Sequence, residues 1–131
     1  MDTFEKLNND EMKWYTQTYK SPRRNESIAL FEINTFITDK SVLELKNMFL
    51  IGGKVLSEEN IKINNILYTK YSVELTVFDS IKNKNSIFQN IFWFCEVGKQ
   101  KYMIRYGSNE TETFDYYKND AFDFIKSIQY E

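Results

Sequence analysis

Histidine is absent from this chain, and cysteine occurs once, at Cys95. Those two facts decide most of the chemistry open to it. Without histidine there is no Ser–His or Cys–His nucleophile, no imidazole ligand for zinc, and no side chain whose ordinary pKa lies near neutrality. One thiolate cannot build a four-thiolate zinc site. Cys95 ends the apolar run Ile91 to Cys95, where burial raises a thiol pKa, so it reads as a small buried hydrophobe rather than a nucleophile. Carboxylates pair along the chain at Glu58–Glu59, Glu110/Glu112 and Asp120/Asp123. Acid–base work by such a pair needs one member buried with a raised pKa. These stand at polar, turn-like or cap positions where both ionise in water. No glycine-rich phosphate loop is present, since Gly52–Gly53 ends a helical pattern instead of opening one. Arg23–Arg24 has the fork geometry to grip phosphate or carboxylate but reads as a solvated face. The expectation is a protein that is not an enzyme and holds no metal or cofactor.

What remains is an uneven charge. The net charge is −2, yet residues 61–109 carry seven basic against three acidic side chains, and residues 110–131 carry six acidic against two basic. The basic stretch sets lysine and arginine beside aromatics at Lys70–Tyr71, Lys101–Tyr102 and Arg105–Tyr106, with Lys99 nearby. A single-stranded nucleic-acid platform uses this mixture. Ordinary alternation on a half-buried sheet produces it as well. The acidic stretch differs, because Glu110, Glu112, Asp115, Asp120 and Asp123 are interleaved with Phe114, Tyr116 and Tyr117. Tyrosine supplies rigid interface area with a polar tip, and an acidic field steers a basic partner. These eight residues are the expected partner-binding set, for a basic nuclease or a nucleic-acid-binding protein.

The functional expectation is therefore a small cytoplasmic binding protein that neutralises a partner by occlusion, of the immunity, antitoxin or phage-inhibitor type. Two alternatives stand beside it. One is a nucleic-acid-binding accessory protein using the basic sheet 61–109. The other is a small-ligand pocket protein with a cone-shaped fold like that of nuclear transport factors.

The elements that would position these residues follow from length and pattern. A chain of 131 residues has the size of one domain, residues 1–131. Its aromatic fraction of 17% supplies a core despite a hydrophobic fraction of 42%. The lone cysteine, the absence of a signal peptide after Met1 and the short apolar runs predict a cytoplasmic chain that does not enter a membrane. The glycosylation patterns at Asn25 and Asn109 are read as accidental.

Helical spacing predicts a first helix within Thr3–Tyr19, its regular part capped by Asp10. Ser21–Pro22 predicts a second from Pro22 through Ile37, although Ala29, Phe31 and Ile33 also alternate as a strand would. Ser41 and Glu44 form a capping box for a third, ended by Gly52–Gly53. Beyond it the period falls to two, with turns at Asn64–Asn65 and Gly98–Lys99, a polar loop over 80–86 and a doubly covered strand over 87–97. Thr111–Tyr117 is expected as a further strand, and a short helix capped by Asn119 or Asp120 closes the chain. The predicted fold is α+β: three N-terminal helices, a four- to five-stranded, mainly antiparallel sheet, then a short C-terminal helix.

Overall fold

The computed structural model describes residues 13–130. Its elements are β1 (Lys13–Lys20), β2 (Ala29–Ile37), α1 (Val42–Phe49), β3 (Lys54–Ile63), β4 (Ile66–Asp79), β5 (Lys84–Val97), β6 (Gln100–Ser108) and α2 (Thr111–Ser127). All six strands join one antiparallel sheet in the order β1-β2-β6-β5-β4-β3. The α+β class stands. The three N-terminal helices do not.

The first two expected helices are β1 and β2, a paired hairpin with Lys13 opposite Ile37 and Lys20 opposite Leu30. The Asp10 cap and the start of that first helix lie outside the described residues. In β1, Trp14, Thr16 and Thr18 alternate with Tyr15, Gln17 and Tyr19, and β-branched and aromatic residues suit a pleated surface. Ser21–Pro22 starts no helix. The Ser21 backbone N–H donates to the Ala29 carbonyl (2.9 Å), and Ser21 Oγ accepts from the Ala29 N–H (2.9 Å). Inside this closure Arg24 and Ser27 exchange two backbone hydrogen bonds around Asn25 (φ 49°) and Glu26 (φ 63°). Two left-handed central residues are what a tight hairpin turn requires.

The third expected helix forms as α1. Ser41 Oγ accepts from the Glu44 N–H (3.1 Å), and Glu44 Oε1 accepts from the Ser41 N–H (3.2 Å). The later turns also form where expected, with Asn64 and Asn65 at φ 52° and 66° and Gly98 at φ 62°. β5 is the doubly covered strand, Ile91 to Cys95 being buried throughout. The sheet has six strands rather than four or five, because β1 and β2 extend it beyond β6.

Thr111–Tyr117 is not a strand. It forms the first part of the seventeen-residue α2, so the C-terminal helix is longer than expected and starts earlier. Phe114, Ala121 and Ile125 recur at helical spacing and bury against Phe31, Trp93, Ile104 and Tyr106 on one face of the sheet. Burying this stripe outweighs the local strand preference of Thr and Tyr. On the opposite face Phe36, Val73, Phe92, Phe94 and Met103 pack under Leu45 of α1. Among the described residues, no helix is long and apolar enough to cross a membrane.

Candidate functional site

The structure gathers the acidic residues by turning their segment into a helix. Glu110 is its N-cap, and Glu112, Asp115, Tyr116, Asp120 and Asp123 all lie exposed on α2. At 100° per residue, positions 112, 115, 116, 119, 120 and 123 fall on one outward stripe, opposite Phe114, Ala121 and Ile125. Phe114 parts company with them. It is buried with its ring 4.9 Å from that of Tyr106, whose hydroxyl donates to the Phe114 carbonyl. Phe114 is core, out of a partner's reach.

The hairpin turn after β1 props the start of this helix. Arg24 lies 4.0 Å from the centroid of the Tyr116 ring and 3.3 Å from Glu112 Oε1. Tyr117 Oη donates to the Pro22 carbonyl (3.1 Å), and the Tyr116 and Tyr117 rings meet edge-to-face at 4.9 Å. Arg24 thus holds Tyr116 against the helix while leaving it 59% exposed. The exposed ion pair adds little by itself, but stacking and charge together fix the ring.

Beside α2, β1 is exposed along its length, and among the described residues a groove opens between it and the helix. Its upper part, about 310 Å³, is floored by Phe31 and Tyr106, walled by Tyr19, Pro22 and Phe124, and carries Asp120 at its lip. A second part, about 490 Å³, runs on past Tyr19 and Phe124 to Tyr15, Ile33, Gln100 and Tyr130. None of the residues lining this second part is charged. The groove is lined by aromatic, aliphatic and amide side chains, with one acid, Asp120, and one base, Lys20, at its upper part, which suits an apolar segment. Its residues from β1 and β2 escape a helical reading of the N-terminal segment. The signal that finds them is the alternation Tyr15, Gln17, Tyr19 and Phe31, Ile33.

The remaining reactive-looking groups are held by burial and by one another. Burial pushes the Cys95 thiol up to about 12, the opposite of what a nucleophile needs. Tyr130 Oη lies 2.8 Å from Tyr68 Oη, its ring 4.4 Å from that of Tyr102, and burial raises its pKa as well. These contacts seat the last described residues against the sheet. Glu59 pairs with Lys70 (3.2 Å), while its neighbour Glu58 stands opposite Tyr71. Among the described residues no cluster of Cys, Asp and Glu could hold a metal ion.

Basic residues of the middle segment stand on both faces of the sheet. Lys70 lies over the Phe122 ring on the α2 face (4.7 Å). Arg105, on the other face, pairs with Glu32 (3.0 Å), and Lys101 Nζ donates to the Thr38 carbonyl (3.0 Å). Of the three N-terminal helices that a cone-shaped nuclear-transport-factor-like fold would curl over its sheet, two are here β1 and β2, and the third forms as α1.

No family model matches the chain, and no curated protein matches it either. Among solved structures it is similar to PA94 from Pseudomonas aeruginosa, a protein of unknown function. The likeness has a TM-score of 0.64 at 12% identity and covers 91% of this chain and 85% of that one. It shows a shared fold.

Proposed function

We propose that this protein is a small cytoplasmic binding module, not an enzyme, which neutralises a basic protein partner by occluding it. The observation that carries the reading is the acidic stripe of α2, with Arg24-braced Tyr116, running beside an apolar groove that has Asp120 on its rim. Charge on the stripe steers the encounter, and the groove takes an apolar segment of the partner. Tyr116 and Tyr117 anchor its edge. A nuclease or another nucleic-acid-binding protein has the required basic surface.

The test is affinity capture from the native host with wild type and with D115K/D120K/D123K. Glu112 is spared so that its pair with Arg24 persists. The wild type is expected to retain a basic protein that the variant loses, with association slowing as salt rises. Equal capture by both at low ionic strength would remove the acidic stripe from the mechanism. Tyr19→Ala and Phe124→Ala test the groove separately, because they leave the charge unchanged and should speed dissociation.

A further inference from the structure

The sheet face that carries α1 holds a second cavity, on the opposite side of the molecule from the acidic groove. α1 spans eight residues and ends at Phe49. Among the described residues, a hollow of about 350 Å³ remains beside its end, crossing from β1 over β2 and β6 to β5. Trp14 and Phe49 wall it, their rings edge-to-face at 5.0 Å. Asn34 pins the Trp14 ring by accepting from its Nε1 (2.9 Å), yet Trp14 stays 49% exposed. A fixed, open aromatic ring of this kind is a surface on which a flat molecule stacks.

Two charges stand in the hollow. Glu32 and Arg105 lie directly opposite each other on β2 and β6, on a face whose other core residues are Phe36, Val73, Phe92, Phe94 and Met103. Their side chains are only 22% and 27% exposed. Removing such a pair from water costs about what its attraction returns, so stability is a weak reason to keep it. The pair also leaves most of its bonding capacity unused. Among the described residues, Arg105 donates from Nη2 to Glu32 Oε2 (3.0 Å), and its Nε has no acceptor. A guanidinium has donors to spare beyond that bond. Nothing described donates to Glu32 Oε1.

The hollow therefore offers a row of donors on Arg105 followed by acceptors on Glu32. Its complement is a planar edge with one acceptor followed by donors. Guanine has that edge, in its carbonyl oxygen, ring N–H and amino group, and so does a pterin. Arginine on the guanine carbonyl is a preferred pairing, and both contacts here are charge-assisted. Adenine has an amino donor but no ring N–H, so it leaves part of the carboxylate unmatched.

We propose that this hollow binds a planar amino-lactam heterocycle of the guanine or pterin type. The carbonyl oxygen accepts from Arg105, the ring and amino N–H groups donate to Glu32, and the ring lies against Trp14. A cavity of this size suits such a ligand, and because it is open the dissociation constant is on the order of 100 µM.

Isothermal titration calorimetry of the full chain tests the site with guanosine, biopterin, adenosine and guanosine methylated at the lactam nitrogen. Guanosine or biopterin should bind saturably, and the tighter of the two identifies the source of the ring. Adenosine and the methylated nucleoside should bind at least about tenfold more weakly, because each lacks the ring N–H that Glu32 accepts. Glu32→Gln, checked for folding by circular dichroism, should lose about tenfold for guanosine and biopterin. Fluorescence supplies a readout that a purely structural pair would not move. The chain has two tryptophans, and Trp93 is buried on the α2 face. Quenching by the bound ring should therefore come from Trp14 and vanish in Trp14→Phe. The proposal is overturned by no saturable binding of guanosine or biopterin up to about 1 mM, by adenosine or the methylated nucleoside binding as tightly, by undiminished binding to folded Glu32→Gln, or by quenching that survives Trp14→Phe.

Discussion

Replacing Asn34 by alanine should cost about 3 kcal/mol of stability, concentrated where β1 joins the sheet. Asn34 is 1% exposed and ties three strands through one amide. Its Oδ1 accepts from Trp14 Nε1 (2.9 Å) and from Thr16 Oγ1 (2.7 Å), both on β1, and its Nδ2 donates to the Met103 carbonyl (3.1 Å) on β6. A typical intramolecular hydrogen bond contributes about 1 kcal/mol net, which gives about 3 for the set. The sum does not climb further because Trp14 is 49% exposed, so its freed N–H turns to water. Urea unfolding should show a lower midpoint with an unchanged slope. Hydrogen exchange should quicken in β1 before the meander β3–β6. Thr16→Val alone should cost about 1 kcal/mol, and almost nothing once Asn34 is alanine, because its acceptor has gone. A loss below about 1 kcal/mol for Asn34→Ala, or an equal cost of Thr16→Val in both backgrounds, would refute the idea that this amide pins the edge strand.

Glu26 sits at φ 63°, a conformation that penalises any residue with a β-carbon, so Glu26→Gly should raise stability by roughly 0.5–1 kcal/mol. An unchanged or lower melting temperature speaks against strain at that turn. Gly107→Ala should cost about 2 kcal/mol or more, because its Cβ would fall 2.1 Å from Asn90 Oδ1 and 3.0 Å from the Gln89 carbonyl. Adding Asn90→Ala should recover part of that loss, and no recovery would locate the clash elsewhere. Alkaline pH should unfold the protein early. Burial raises the Cys95 thiol from 9.0 to about 12, and burial, then Asp115 and Asp120, raise the Tyr106 phenol. The unfolded chain releases these protons first, so stability is full below pH 9 and falls between pH 9 and 12. Each such group contributes up to roughly tenfold per pH unit in the unfolding constant. Cys95→Ala should flatten that fall, and stability that is level from about pH 8 to 11 would contradict the shifts.

What the residues disclose depends on whether the deciding interaction is local. Ser41 and Glu44 satisfy each other's backbone within one turn, so α1 is legible from four residues. Asn64–Asn65 and Gly98 announce their turns through backbone angles that few other residues accept. β1 and β2 are a different case. Trp14, Tyr15 and Tyr19 fit a helical face as well as a pleat. What decides between them is pairing, of β1 with β2 and of β2 with β6, whose Met103 stands opposite Asn34 far along the chain. The acidic segment shows the same limit. Read as a strand, residues 110, 112, 114 and 116 would share one face, with Phe114 beside the charges. In the helix Phe114 goes to the core, while Asp115 joins Glu112 and Tyr116 outside. The composition of the acidic segment is visible in the sequence, and which of its residues face outward is decided by the sheet beneath α2.

The strand order has a further consequence, for how the molecule is made. Synthesis delivers β1 and β2 before the other strands described, yet the strand that β2 joins, β6, is the last of the six to be added, and it lies in the interior of the sheet. An emerging chain can close the meander β3–β4–β5 as it grows. The leading hairpin has to wait, with Phe31 and Phe36 uncovered, until residues 101–108 arrive to receive it. Pairing at such separation is slow to form. A nascent chain halted before β6 would hold two fragments of a sheet without the strand that joins them, so the β1–β2 hairpin is the part most in need of protection during translation.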